Sequence, residues 1–411
     1  MSLIRDTKTK TQKETEKNLQ KKTSVIVLRD YLYSRYDIRK NIITLDYEYK
    51  KKEDEKFEKL NFSDLWLQCH ENNYTHANLS NLEAIIKSSH TIEYNPGLEY
   101  LENLPEWDGI DYFEKLSTYL PIAEIENYKF VYHFKKWFVR LVKCMVDDNF
   151  FNKQMIVFIQ EEHNGGKTTF CRWLCPHELE QYYTESITEG KDEQIQLTTN
   201  FLISYDEMSK LTKESISKVK SLMSTLNVNL RLPYEKKQIK LNRRCSFLGN
   251  TNKIEFMLDE TGSIRFICFE LTGKLNFDYS KDININNLYA QAYNLLKSKT
   301  FEYEITHEDS VIIQEYNKRF FVQTPEIYFI QKYYRIATED DKQLPDQSLL
   351  EYKTSTQIYL ELQKRVPEIK FNINNIGKAL VFLNYKRTMI RNKDFKNHPY
   401  PCYEICQNEE F

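Results

Sequence analysis

The chain has 411 residues, 41% of them hydrophobic, and its 58 Lys and Arg nearly balance 60 Asp and Glu to leave a formal charge of −2. That size buries a large core and fits about two to three domains, whereas the near-neutral charge excludes a globally basic nucleic-acid binder and leaves only local patches for DNA. No run of 18 apolar residues exists and the opening MSLIRDTKTKTQKETEK is polar almost throughout, which predicts a cytoplasmic protein without a membrane span.

Residues 1–22 carry seven Lys/Arg against three acids with almost no apolar periodicity. They read as a mobile basic arm, either a plain disordered tail or a segment that touches DNA. Over 23–106 the groups Val25-Ile26-Val27-Leu28 with Tyr31-Leu32, Phe62-Leu65-Trp66 and Leu79-Leu82-Ile85-Ile86 predict helices between turns, hence a helical N-terminal adaptor or collar. This segment is too short for a primase catalytic domain and has no paired carboxylates, so a primase would be a separate partner. Pro96-Gly97, Pro105 and Trp107-Asp108-Gly109 punctuate the passage to helices over Tyr112–Leu120 and Tyr128–Asp147.

Met155–Phe170 then reads MIVFIQEEHNGGKTTF: an apolar run, a short polar loop, and an amphipathic stretch opened by Lys167. This is the strand, loop and helix of a phosphate-binding loop. Backbone N–H groups of Asn164, Gly165, Gly166, Lys167, Thr168 and Thr169 would cradle phosphate oxygens. Lys167 would reach the β- and γ-phosphates of ATP, and the Thr168 hydroxyl would complete the coordination of Mg²⁺. In the pattern G-x-x-x-x-G-K-[ST] the first glycine falls on Glu161, an anion with a Cβ. Asn164 stands where many such loops have glycine, and Asn tolerates left-handed backbone better than most residues. A helix start with an exposed lysine would show the same tripeptide.

A second signal lies at Phe201-Leu202-Ile203-Ser204-Tyr205-Asp206-Glu207, an apolar run of strand length that ends in two carboxylates. Asp206 would hold the Mg²⁺ shell and Glu207 would polarise the attacking water, since parallel α/β sheets place ligands outside their strand C-termini. A solvated acidic turn is the alternative. Arg244–Asn252 forms a third strand ending in amides, with Asn250 placed to hydrogen-bond the γ-phosphate or the water, or to make a simple Gly-Asn turn. The three strand ends, in this order, describe a P-loop ATPase with an additional strand.

Trp107-Asp108-Gly109, the Gly-Lys-Thr-Thr-Phe loop, Tyr205-Asp206-Glu207, Arg231-Leu232-Pro233-Tyr234, Phe247–Asn252 and Asp259–Phe266 together resemble the virulence-associated E (VapE-like) family of phage and mobile-element proteins. The resemblance runs from Trp107 to Leu271. The ATPase core of that family is related to superfamily 3 helicases, which implies an AAA+-like α/β fold and a homo-oligomeric ring, a hexamer being expected. It further implies that Arg265 acts on nucleotide bound by a neighbouring subunit.

Between the acidic pair and the amide strand, Val228–Leu232 and Ile239–Leu241 alternate apolar and polar residues around Pro233–Gln238, predicting a hairpin with Tyr234 and Lys236-Lys237 at its tip. Residues 229–244 hold six Lys/Arg, among them Lys240, Arg243 and Arg244, against one acid. The resemblance implies that this hairpin enters a central channel. Positive charge with an aromatic suits single-stranded DNA, where Tyr234, Lys236, Lys237 and Lys240 would make phosphate and stacking contacts; a solvated basic turn is the alternative.

In 301–411, Pro325–Tyr334 predicts a helix with Thr324 as N-cap. Ser355–Gln363 and Ile373–Leu383 predict two more, followed by strands over Tyr385–Arg391 and Tyr400–Ile405. Helix, helix and hairpin over about 350–406 resemble a winged helix, with Lys378, Lys386, Arg387, Arg391, Lys393 and Lys396 where duplex DNA would lie; such folds also serve as protein contacts. The eight cysteines include the pairs Cys171/Cys175 and Cys402/Cys406, which lack further ligands at zinc-like spacing and read as buried or free thiols.

The whole predicts an ATP-driven DNA helicase or translocase in replication of a phage or mobile element, with the core over 107–300. Two alternatives stay open: a nucleotide-dependent switch in anti-phage defence or regulation, and a DNA-binding regulator with a degenerate loop, which Glu161 favours.

Overall fold

The computed structural model describes residues 24–74, 77–185, 187, 191–230, 238–257, 263–343, 350–391 and 398–408. The basic arm, the hairpin tip with Arg231, Tyr234, Lys236 and Lys237, and the turn with Lys393 and Lys396 lie outside them. Among the described residues no helix is long and apolar enough to cross a membrane. The chain divides into two compact units. One runs to Lys210 and includes Glu214–Asn252 and Arg265–Ser310; the other comprises Leu211–Lys213, Lys253–Ile264 and the chain from Val311 onward.

The first unit corrects the expectation of a purely helical N-terminal region. A helix over 24–35 leads into β1 (Tyr36–Asn41), β2 (Tyr47–Lys51) and β3 (Glu58–Lys59), and β4 (Ile92–Tyr94) follows two further helices, Phe62–Glu71 and Leu79–Ile86. The strands form a sheet in the order β3-β2-β1-β4, with β4 parallel to β1 and the others antiparallel. Tyr36 and Ile38 turn inward between less buried Asp37 and Arg39, and they meet Leu28, Leu32, Leu65, Leu82 and Ile86 in one core. Alternation over so few residues is easily lost among charges, and β1 finds β4 some fifty positions later, so local periodicity could not reveal the pairing.

The central sheet consists of β5 (Met155–Ile159), β6 (Tyr183–Thr184), β7 (Leu202–Tyr205), β10 (Ser246–Thr251) and β11 (Phe266–Glu270), while β8 (Asn227–Leu230) and β9 (Ile239–Asn242) form a separate antiparallel hairpin. All five strands are parallel in the order β11-β5-β10-β7-β6. β10 is therefore inserted between β5 and β7, although it follows both in the chain. Every residue of β5 and β10 is buried, as expected of parallel strands covered on both faces. Asn41 at the end of β1 donates from Nδ2 to the Tyr182 hydroxyl at 2.8 Å and so ties the N-terminal sheet to this one.

Two of the hairpin's expected basic residues serve the interior. Arg243, fully buried, donates to the carbonyls of Thr225 (2.8 Å), Cys245 (2.9 Å), Asn152 (2.8 Å) and Met223 (3.2 Å). Arg244 is buried against the Met145 carbonyl and Asp148. They anchor the hairpin's base and are withdrawn from solvent, whereas Lys240 is exposed on β9.

The second unit contains the helix Pro325–Tyr333, capped by Thr324 as its sequence predicts, then β12 (Tyr334–Ile336), β13 (Leu350–Lys353), the helices Ser355–Arg365 and Ile373–Phe382, β14 (Arg387–Arg391) and β15 (Pro399–Gln407). β15 pairs antiparallel with β12, β13 and β14. Ile327, Ile330, Ile358, Leu362, Ile376, Leu380 and Ile405 make its core. Lys378, Arg387 and Arg391 are exposed, and Lys386 pairs with Glu404 at 3.5 Å.

In the first unit the 23-residue helix Glu124–Val146 carries a buried polar cluster. Lys136 pairs with Asp309 at 2.8 Å, Arg140 donates to Asn152 Oδ1 (3.1 Å) and the Tyr303 carbonyl (3.0 Å), and His133 lies beside them. Burial pushes the His133 imidazole down to about 4; Asp309 opposes the shift, while Lys136, Arg140 and Lys129 reinforce it. Between about pH 6.5 and 4 the unfolded chain therefore binds a proton that the folded chain refuses, and stability falls as the pH drops through this window. Thermal or urea unfolding against pH should show that loss, and His133→Gln should remove up to ~1.4 kcal/mol per pH unit of the slope there.

Candidate active site

The loop after β5 turns back on itself before the helix Lys167–Trp173. Asn164 (φ 59°) and Gly166 (φ 97°) both have left-handed backbone. A Cβ on Gly165 would sit 1.9 Å from the Gln160 side-chain oxygen, and one on Gly166 would sit 2.6 Å from the Phe277 ring. Glycine is required at 165 by the close approach and at 166 by conformation as well. Glu161, at the first-glycine position, is exposed. The buried Gln160 beside it spans the loop, donating to the Gly273 carbonyl.

Lys167 is buried, and its ammonium donates to Asn252 Oδ1 at 2.6 Å, the Gln160 carbonyl at 3.2 Å, Gln160 Oε1 at 3.4 Å and the Glu162 carbonyl at 3.5 Å. These four acceptors are all uncharged. Burial accordingly lowers its pKa, against the opposing pull of Glu207 and Asp206. Thr168 donates from its hydroxyl to Asp206 Oδ1 at 3.1 Å, so a hydroxyl and an exposed carboxylate meet at the mouth of the loop. Thr169 is exposed on the next position.

Glu207 follows β7 in left-handed backbone (φ 58°). Its backbone N–H donates to Asn250 Oδ1 at 3.3 Å. Its carboxylate accepts from Ser209, from the Thr251 hydroxyl at 3.3 Å, and from both the backbone N–H (3.4 Å) and side-chain Nδ2 (2.9 Å) of Asn252. Burial raises the Glu207 pKa, but these hydrogen bonds and the charge of Lys210 outweigh it, and the carboxyl is held below its ordinary value. It is therefore an ionised acceptor at neutral pH.

The structure thus brings Lys167, Thr168, Asp206, Glu207 and Asn250 to one edge of the sheet. The reach toward Lys167 belongs to Asn252, however. Asn250 is buried beneath Glu207 with its amide nitrogen unpartnered among the described residues. Asn252 lies one residue past β10, where a side chain clears the sheet edge, and its Nδ2 also meets His163 Nδ1 at 3.2 Å. That position was the available signal in the sequence; Gln160 offered none beyond its place at a strand end.

Arg265 is not part of this cluster. It precedes β11, whose Phe266 aligns with Met155 at the start of β5, and its Nε donates to Ser224 Oγ at 3.2 Å. The five residues of β5 separate the two sheet edges by ~16 Å.

Residues 101–322, more than half of the chain, match the virulence-associated protein E-like domain family, and the chain belongs to that family. No curated protein matches it. Among solved structures, the apo structure of the NrS-1 C terminal region (305-718) is similar with a TM-score of 0.51 at 12% identity, over 94% of this chain and 99% of that one. The A form apo structure of the same region gives 0.50 at 11% identity with the same coverage. At such identity the likeness is one of fold: a mixed α/β architecture around a parallel sheet.

Gly165→Ala should force Gln160 aside and cost about 1–3 kcal/mol as an overpacked contact. Calorimetric unfolding should show the lowered midpoint, and adding Gln160→Ala should recover part of it, since the clash lies with that side chain.

Proposed function

We propose that the chain is an ATP-hydrolysing motor that acts on DNA in the replication of a phage or mobile element, working as a homo-oligomeric ring. The observation that carries this reading is the insertion of β10 between β5 and β7, which aligns Lys167/Thr168, Asp206/Glu207 and Asn252 along one edge. This strand order supports an additional-strand P-loop ATPase of the AAA+-like, superfamily 3 kind. The buried Lys167, met only by neutral acceptors, suits an anionic phosphate as partner.

Thr168 and Asp206, a hydroxyl and a carboxylate already 3.1 Å apart, would hold Mg²⁺. The ion would neutralise charge on the phosphates. Lys167 and the loop N–H groups position the terminal phosphates, which requires Lys167 to give up Asn252. Glu207, ionised and released from the same amide, accepts a hydrogen bond from water and orients it. Arg265 sits too far from its own loop to serve it, which supports action on a neighbour's nucleotide.

For DNA, Lys240 stands exposed on the β8–β9 hairpin, and Tyr234, Lys236 and Lys237, which the sequence pattern assigns to its tip, would add phosphate and stacking contacts. The helices Ser355–Arg365 and Ile373–Phe382 with the β14–β15 hairpin suit a winged helix, with Lys378, Arg387 and Arg391 open to a duplex or a protein. A second reading, a nucleotide-dependent switch, is favoured by Asn252, which holds Lys167 and Glu207 together. DNA-stimulated turnover separates the two, since the switch needs none.

Glu207→Gln should leave ATP binding largely intact while cutting turnover by roughly two or more orders of magnitude, whereas Lys167→Ala should lose binding. Wild-type hydrolysis by the Glu207→Gln protein would remove the acidic pair from the mechanism. Mixing Arg265→Ala with Lys167→Ala should restore part of the DNA-stimulated activity if each interface takes its arginine and its loop from different chains. No recovery, with full activity in a protein that light scattering shows to be monomeric, would reject the ring.

A further inference from the structure

The segment after β11 closes over the phosphate loop. Leu275 N–H donates to the Gly165 carbonyl at 3.1 Å, Asn276 N–H to the Tyr119 carbonyl at 3.2 Å, and Thr272 N–H to the Pro121 carbonyl at 2.7 Å. Leu275 and Tyr279 are buried, at 4% and 1% exposure, but Phe277 between them is 46% exposed. Its ring lies against Gly166, close enough that any Cβ there would strike it. A half-exposed aromatic ring beside a loop of backbone N–H groups offers a flat apolar face to whatever enters that loop.

We infer that Phe277 is the platform on which the base of a bound nucleoside triphosphate stacks, a deepening that rests on the ATPase reading. With phosphates in the Gly165–Thr168 loop, the nucleoside has to leave along the loop's rim, where Phe277 presents an exposed aromatic ring beside Gly166. The segment leading to it is held by the three hydrogen bonds above, and its own carbonyl accepts from Ser280, whose N–H (3.2 Å) and hydroxyl (2.9 Å) both donate to it. The ring is thus presented from a fixed turn and needs little ordering on binding.

The acceptors beside it are engaged within the turn. Asn276 Oδ1 accepts from the Asp278 N–H at 3.0 Å, and Asp278 Oδ1 accepts from Lys281 at 2.8 Å. Stacking without an edge reader is tolerant of base identity, because every base has a π-face. The ligand class is therefore nucleoside triphosphate without selection of one base, with ATP and GTP bound within a few-fold of each other.

The test is titration calorimetry of the full chain with ATP, GTP and inorganic tripolyphosphate, each with Mg²⁺, on wild type, Phe277→Ala and Phe277→Tyr. Phe277→Ala should weaken ATP and GTP alike by about tenfold to a hundredfold, the range for losing one base–aromatic stack. Tripolyphosphate affinity should be unchanged, and Phe277→Tyr should bind nucleotides as wild type does. Equal loss of tripolyphosphate would reduce Phe277 to packing of the loop, and undiminished nucleotide binding by Phe277→Ala would overturn the platform outright. A wild-type preference for one purine of tenfold or more would overturn the stacking-only recognition. A wild-type protein that binds tripolyphosphate but neither nucleotide would refute the platform and leave the phosphate loop standing, whereas failure with all three ligands would refute the ATPase reading beneath it.

Discussion

A buried ammonium whose hydrogen-bond acceptors are all neutral oxygens is the constraint around which the first unit is organised. Lys167 is taken out of water at the edge of a sheet whose strands β5 and β10 are buried throughout, and it receives two backbone carbonyls and two side-chain amide oxygens in return. Dipoles compensate a buried cation less well than an anion does. The loop around it has to be narrow enough to supply those dipoles, which is why Gln160 crosses it and why residue 165 can carry no side chain.

The second organising feature is the position of β10. A strand placed between β5 and β7 carries the residue just past its end to a point from which one amide reaches both neighbours. Asn252 uses both ends of its side chain, oxygen toward Lys167 and nitrogen toward Glu207. The cation and the carboxylate are thereby held through a neutral intermediary, without closing directly on each other. In the proposed reading, a phosphate drawn to Lys167 would compete with Asn252, one of the groups that hold Glu207.

Charge counted along the chain proved a poor guide to charge at the surface. Of the basic residues around the β8–β9 hairpin, Arg243 and Arg244 are consumed by interior carbonyls and by Asp148. A guanidinium has five donors in a planar fork and a weakly hydrated charge, so one side chain can bridge several main-chain carbonyls inside a protein. The hairpin is consequently fixed at its base, and Lys240 is what its described strands offer to solvent.

The sequence by itself determined the elements with strong local signatures. The apolar run of β5 ahead of Gly165-Gly166-Lys167-Thr168, the apolar run ending in Asp206-Glu207, the Thr324-Pro325 helix start and the helix–helix–hairpin of the second unit all follow from residue type and period, which depend on near neighbours. The tertiary structure alone decided which strands lie side by side. That choice inserted β10 between two earlier strands, made Asn252 the amide that reaches Lys167, assembled β1 with β4 where helices were expected, and buried Arg243. Pairing partners as far apart as Arg39 and Ile92 or Met155 and Phe247 are selected by the burial of the whole sheet, a sum over many weak contacts that no local window of sequence contains.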